Sequence, residues 1–316
     1  MVVLVTGATG FVGREVVRTL VNQGDEVRCL VHTPGAEEIF GNERVDVHYG
    51  SVTDPLALRA AFYDVDEVVH LVAIIRERKG ATFRGINFRG VQNVVEAASA
   101  AGVKRVVHLS AMGANDNLSA SYLHSKWLGE QAIIHSGLAY TILRSSLIFG
   151  EGDEFINGIA GLVKALPLIP IVGPGNNELQ LIAVEEVARC VASSVHEKDV
   201  VNCTIEIGGS ERLRYSEIVD IVIDTLGASR LKVHLPLLVA KPIVRTLEAI
   251  LPRSIVTSDQ LKMLSIPSIG DVGTVEEIFG FSPRRLEGNI DFARKMNFLD
   301  GLKICLGFMP HYIRDH

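Results

Sequence analysis

The chain has 316 residues, 47% of them hydrophobic and 22% charged, so it can bury a sizeable core and is too apolar to be a disordered chain. Its formal net charge of −6 and the lack of any dense Lys/Arg run leave no concentrated positive field, which excludes a nucleic-acid partner. The four cysteines, Cys29, Cys190, Cys203 and Cys305, form no metal-ligand spacing, so no metal site is expected, and Cys29 and Cys203 read as small core hydrophobes.

Met1 leads straight into an apolar strand, Val2–Thr6, with no basic leader before it. A turn reading TGATGFVG follows, with Gly7, Gly10 and Gly13 evenly spaced, and it opens an amphipathic helix over 12–22. A strand, a glycine turn and a helix N-terminus in that order make an anion site. Gly7 permits the tight turn, Gly10 lets backbone approach a ligand, and Gly13 lets the helix pack close. The amides of Gly7, Thr9, Gly10, Phe11, Val12 and Gly13 would then face a pyrophosphate at the positive end of the helix dipole.

Further apolar, β-branched runs follow at Glu26–His32, Val45–Tyr49, Glu67–Val72, Arg105–Ser110 and Tyr140–Arg144, with amphipathic helices near 55–63, 84–101 and 121–136 between them. Strands that are apolar throughout are covered on both faces, and their alternation with helices predicts right-handed βαβ units. The fold class is α/β, a doubly wound parallel sheet with helices on both faces. The end of the second strand reads Leu30, Val31, His32, Thr33, with no carboxylate to hold ribose hydroxyls or to repel a 2′-phosphate. That favours NADP(H) over NAD(H), with His32, Thr33 and Arg14 near the phosphate, and leaves NAD(H) open.

Ser110 ends the fifth strand, and Tyr122 and Lys126 stand four apart on the next helix, so both side chains share a face. A carbonyl accepting hydride develops charge on oxygen. The Tyr122 phenol would protonate it, the Ser110 hydroxyl would orient it, and the Lys126 ammonium, with the positive nicotinamide ring of the oxidised state, would lower the phenol's pKa from its ordinary value near 10. The plainer alternative is an ordinary helix pair. His70 and His108, inside apolar strands, read as satisfied core histidines. Glu151, Asp153 and Glu154 face either a substrate mouth or solvent.

Beyond residue 150 the elements shorten. Pro167 to Asn177 reads as a loop, followed by a helix over 185–196, a strand over 202–207, a helix over 214–227, one after Pro242 and one after Thr257. The division is thus a nucleotide domain over 1–150 and a smaller mixed α/β lobe for substrate or partner over 151–316, interleaved with the sheet edge and packed at its carboxyl end, where open α/β sheets bind ligands. The most apolar stretch, Leu231 to Leu251, is broken by Lys232, Lys241, Arg245 and Glu248, and a span needs about 20 nearly uncharged residues, so no transmembrane helix and a cytoplasmic location are expected. The segments LPLLVAKPIVRTLEAIL and FLDGLKICLGFMPHY offer apolar faces. These suit an apolar small-molecule substrate, a membrane surface, a protein partner or simple lobe packing, and oligomeric state is left open.

In order along the chain, TGATGFVG, HLVA (His70 to Ala73), NFRGVQN from Asn87, VVHLSAMGA with Ser110, and YLHSK with Tyr122 and Lys126 resemble the extended and atypical short-chain dehydrogenase/reductases. The resemblance implies a Rossmann fold and a Ser–Tyr–Lys set. It also implies that Leu71, Val72 and Ala73 line the adenine–ribose side, that Lys126 holds the nicotinamide ribose, and that Asn87 joins a water relay. Ser51 stands where relatives carry an aspartate that contacts the adenine amino group. Three functional readings follow: an oxidoreductase for a carbonyl or alcohol; a nucleotide-sugar epimerase or dehydratase; and a non-catalytic NADP(H) holder. The sugar-nucleotide reading is weakened because Glu178 to Val184 has no basic residue for a diphosphate. The third is suggested by TGATGFVGREVV and LRSSLIFGEGDEFING, which are similar to the dehydrogenase-like accessory subunit of respiratory complex I and its bacterial relatives.

Overall fold

The computed structural model describes residues 1–78, 80–118, 121–251, 256–263, 268–310 and 313. In chain order the first half runs β1 (Val2–Thr6), α1 (Phe11–Asn22), β2 (Glu26–Val31), β3 (Val45–Tyr49), α2 (Pro55–Ala61), β4 (Glu67–His70), α3 (Gly90–Ala101), β5 (Arg105–Ala111), α4 (Ser121–Ile134) and β6 (Ala139–Ser145). A π-helix over Arg84–Arg89 runs straight into α3. Next come β7 (Ile148–Phe149), α5 (Phe155–Ala165), β8 (Leu168–Val172), β9 (Glu178–Leu179), β10 (Ile182–Ala183), α6 (Val184–His196) and β11 (Cys203–Ile207). The rest is β12 (Leu213–Arg214), α7 (Tyr215–Thr225), β13 (Leu231–Leu235), α8 (Leu237–Ile250), α9 (Ser258–Met263), α10 (Thr274–Phe279) and α11 (Phe298–Cys305).

One compact unit comprises Met1–Ser145 and Val184–Ile207. Its seven strands lie in the order β11-β6-β5-β4-β1-β2-β3, and every neighbouring pair is parallel. The order reverses between β1 and β4, and such a switch point opens a crevice at the carboxyl ends of the strands. Alternation assigns the faces. Leu4, Val68, Val106 and Ile142 form one buried cluster with Leu58 of α2 and Val94 of α3. The alternate positions Val5, Val69, Val107 and Leu143 are equally buried on the other side, where α1 and α6 pack together. Each fully buried Val or Leu contributes about 1.5–3 kcal/mol, so both faces of the sheet are strongly held.

The other compact unit is Ser146–Ala183 with Gly208–His316. It holds three small strand pairs, β7 with β10, β8 with β13 and β9 with β12, around a core that includes Phe149, Ile156, Ile171, Val222 and Ile304. This division departs from a cut at 150, because β11 pairs in parallel with β6 and α6 is the crossover that reaches it. The stretch Pro167 to Asn177, expected as a loop, contains β8. Leu168 to Val172 alternate between outward and buried positions, and Pro170 is tolerated because β8 has a single sheet neighbour. The helix expected after Pro242 begins earlier, at Leu237, and carries Pro242 inside it. Nearly all of α8 is exposed, so water can satisfy the carbonyl that the proline leaves without a donor. Among the described residues no helix is long and apolar enough to cross a membrane.

Candidate functional site

The glycine turn is built as the spacing requires. Gly7 sits at φ +77, and a Cβ there would lie 3.1 Å from the Val72 nitrogen and 3.2 Å from the Leu71 carbonyl carbon. The turn after β1 and the segment after β4 therefore touch backbone to backbone, which only glycine allows. Gly10 is the extended N-cap of α1, its amide donating to Gly7 O at 3.0 Å. A Cβ on Gly13 would fall 2.0 Å from Gly7 O and 2.7 Å from Ala8 O, so α1 starts directly on the turn. The α1 N-terminus has no side-chain cap and no acidic residue in its first turn. Thr9, Gly10, Phe11 and Val12 are half-exposed around it, whereas Gly13 is buried. Such a terminus, with its backbone N–H groups and positive dipole end, fits a pyrophosphate.

Asn87 lies in the π-helix, a rare conformation that often marks functional sites. Its Oδ1 accepts from Ile74 N at 2.8 Å, and its Nδ2 donates to Ile74 O and to Ser125 Oγ, both at 3.0 Å. Ser125 Oγ in turn donates to Tyr122 O at 2.6 Å. Both amide hydrogens are thus taken by protein, and the side chain ties the segment after Ala73 to α4. Ser51 Oγ accepts from Thr53 N at 3.2 Å and pairs with Thr53 Oγ1 at 2.8 Å, a local turn. His32 and Thr33 are exposed just past β2, with His32 Nδ1 3.4 Å from Thr33 Oγ1. The Arg14 guanidinium stands 5.8 Å above the Phe11 ring, with Nε 3.6 Å from Glu15.

Ser110 is buried near the end of β5, and its Oγ has no hydrogen-bond partner among the described residues. Tyr122 is half-buried on α4, with the Phe83 ring edge-on at 5.9 Å. Lys126, one turn further on, is 2% exposed and donates to Leu109 O at 2.7 Å. That bond fixes the Tyr122–Lys126 face of α4 at the end of β5, one residue from Ser110. Burial pushes the Lys126 ammonium down to about 8, against a smaller opposing pull from Glu130. Burial also pushes the Tyr122 phenol up to about 12.

His70 and His108 are both fully buried and stack at 5.2 Å. His108 bonds to Lys126 and to His70 O. His70 Nδ1 meets Thr6 Oγ1 at 2.6 Å, while its Nε2 has no partner among the described residues, which departs from a satisfied core histidine. Burial, then the Lys126 charge, pushes His70 down to about 3. Asp153 is neither solvated nor directed at a substrate mouth. It is buried, accepting from Gly150 N at 3.1 Å and Ile156 N at 2.6 Å, and so holds the start of α5; burial raises it to about 7. Glu151 pairs with Lys295. One group escaped the sequence reading: Glu37, beyond β2, whose carboxylate accepts from Gly35 N at 2.8 Å and from the Tyr49 hydroxyl at 2.5 Å. Only the pairing of β2 with β3, Val31 against Tyr49, brings these together.

Residues 7–157 match the family model of NAD(P)H-binding domains. The chain is 31% identical over 187 residues to the ceramide reductase of Caulobacter vibrioides, 59% of this chain and 58% of that protein. It is 25% identical over 250 residues to the mitochondrial NADH dehydrogenase (ubiquinone) 1 alpha subcomplex subunit 9 of Arabidopsis thaliana, 76% of this chain and 62% of that one. These matches span less than two thirds of either relative's length. Among solved structures, the NADPH-dependent quinone oxidoreductase QOR2 of Escherichia coli, complexed with NADPH, superimposes with a TM-score of 0.76 at 17% identity, over 90% of this chain and 97% of that one, a likeness of fold. The glycine turn at the switch point and the seven-stranded order give the chain a Rossmann-like α/β fold, and its residues 7–157 are similar to NAD(P)H-binding domains.

Proposed function

We propose that the protein is an NADP(H)-preferring oxidoreductase that reduces a carbonyl, or oxidises the corresponding alcohol, on an apolar small molecule. The observation that carries this reading is the bond from Lys126 to Leu109 O, which brings Tyr122, Lys126 and Ser110 to one end of β5. The glycine turn and the α1 N-terminus would hold the dinucleotide, and hydride is the chemistry a bound nicotinamide supplies. Ser110 Oγ, buried with no partner among the described residues, has a hydrogen to give, and a substrate carbonyl oxygen would accept it. Tyr122 gives that oxygen its proton in reduction and takes one back in oxidation. A phenol near 12 is a poor acid at neutral pH, so a positive nicotinamide ring and Lys126 must lower it in the loaded site. An apolar substrate is supported by the ceramide reductase relative.

The non-acidic end of β2 supports NADP(H), while Glu37, in the 3-10 turn Ala36–Phe40 that follows, is a carboxylate suited to ribose hydroxyls and is the feature that favours NAD(H). Fluorescence titration is expected to show tighter NADPH than NADH binding; the reverse order would overturn the preference. Tyr122→Phe is expected to lower turnover by about 10²–10⁴-fold with NADPH affinity nearly unchanged. A fully active variant would remove Tyr122 as the acid. The second reading, a protein that holds NADP(H) without turnover, is favoured by the high phenol pKa and by the complex I subunit relative. A sugar-nucleotide reading is disfavoured because Glu178 to Val184 holds no cation, and Gln180 within it is buried and bonded to Gly209 O and Gly270 N.

A further inference from the structure

We propose that His108 is a positioning residue for Lys126: it accepts one ammonium hydrogen and thereby directs another toward the bound nucleotide. The inference rests on the reading that Lys126 serves the nucleotide. Thr6, His70 and His108 occupy one register row across β1, β4 and β5, and α4 lays Lys126 beside the His108 end of it. His108 Nδ1 lies 3.2 Å from His70 O. A carbonyl can only accept, so Nδ1 carries the hydrogen, and the neutral ring leaves Nε2 as a bare lone pair. That nitrogen is 3.4 Å from Lys126 Nζ, which donates to it. The tautomer is therefore set by backbone, and the direction of the Lys126 bond follows from it.

An ammonium group has three hydrogens in tetrahedral array. Leu109 O takes one at 2.7 Å and His108 Nε2 another, so two fixed directions determine the third, which is left for a ligand oxygen. The arrangement persists because His108 stays neutral: burial first, then the Lys126 charge, hold it well below the ordinary histidine range. The other groups around Lys126 are His70 on β4 and, on α4, Tyr122 one turn back and Glu130 one turn on. The Glu130 carboxylate is occupied by Arg144 of β6, at 3.0 and 2.6 Å. None of these groups competes for the Nε2 lone pair.

The direct test is nitrogen NMR of the full chain labelled with ¹⁵N-histidine, with His108 assigned from the signal lost in His108→Gln. The expected spectrum has a protonated Nδ1 and a bare Nε2, unchanged from about pH 6 to 8, with Nε2 shifting in Lys126→Met. An Nε2–H tautomer, or a ring that titrates in that window, overturns the proposal. In function, His108→Leu removes the acceptor, so the Lys126 charged form is held less well. NADPH binding should weaken about tenfold, and the alkaline limb of its pH profile should move to lower pH. His108→Gln, whose amide oxygen can replace Nε2, should restore the limb. A Leu variant whose limb stays in place contradicts the proposal. Failure of Tyr122→Phe to lose turnover would remove Tyr122 as the acid while leaving the NMR result to stand on its own.

Discussion

Gly13 shows how one side chain decides the site. A methyl group there would sit 2.0 Å from Gly7 O, inside any allowed contact and against backbone that cannot rotate away. Gly13→Ala is expected to cost about 1–3 kcal/mol in urea unfolding and to abolish NADPH binding, since α1 must lift off the turn. Unchanged stability and affinity would show that the turn is not packed as described. Gly7, Gly10 and Gly13 were legible in the sequence because their demand is local: a turn, a cap and a helix start within seven residues. Ser110, Tyr122 and Lys126 were also nameable, from one strand end and one helix face. The partners of Lys126 were not. His108 and Leu109 are read as plain strand residues until the fold places α4 over them, and the same holds for Glu37 beside Tyr49.

Among elements, the π-helix before α3 departs from regular α-helical periodicity, and it carries Asn87. One amide side chain closes both polar groups of Ile74 and, through Ser125, the backbone of Tyr122. Asn87→Ala would leave the Ile74 N–H and C=O without these partners, at about 1–3 kcal/mol. The expected result is a lower urea midpoint together with weaker NADPH binding. A loss of stability with binding intact would confine Asn87 to the fold. The strands of the sheet were legible because apolar, β-branched runs between helices admit few readings. β8 was obscured by Pro167, Pro170 and the glycines after Val172, since a proline is allowed in a strand only when the other edge is unpaired, and pairing is not a property of the segment itself.

For the whole molecule, the seven-stranded order places the switch point, and with it the glycine turn, between β1 and β4. The return of α6 and β11 to that sheet is the interleaving that a break at 150 leaves unlocated, because the crossover closes across more than fifty residues of chain that the sequence reads as another lobe. Buried charge also sets how the fold responds to pH. Glu67, 6% exposed with Arg105 Nε at 3.7 Å, is raised by burial from 4.5 to about 7 despite that arginine. Between those values the folded chain holds the extra proton, so this group's stabilisation is lost as pH rises through 7. His70, lowered from 6.5 to about 3, acts in the opposite sense, its stabilisation being lost as pH falls. Lys126, lowered from 10.5 to about 8, favours the fold increasingly across that higher window. The Glu67 contribution is isolated by comparison with Glu67→Gln in urea unfolding. The wild type should lose stability relative to the variant from pH 4.5 to 7, and parallel curves would contradict the raised carboxyl.

The central claim is that the turn from Gly7 to Gly13 holds a dinucleotide whose nicotinamide meets Tyr122, and a crystal structure with NADPH tests it most directly. The expected result is the pyrophosphate on the amides at the start of α1, with the reactive ring carbon within a substrate's width of the Tyr122 hydroxyl and the ribose on Lys126 Nζ. A pyrophosphate bound elsewhere, or a nicotinamide directed away from Tyr122, would contradict it.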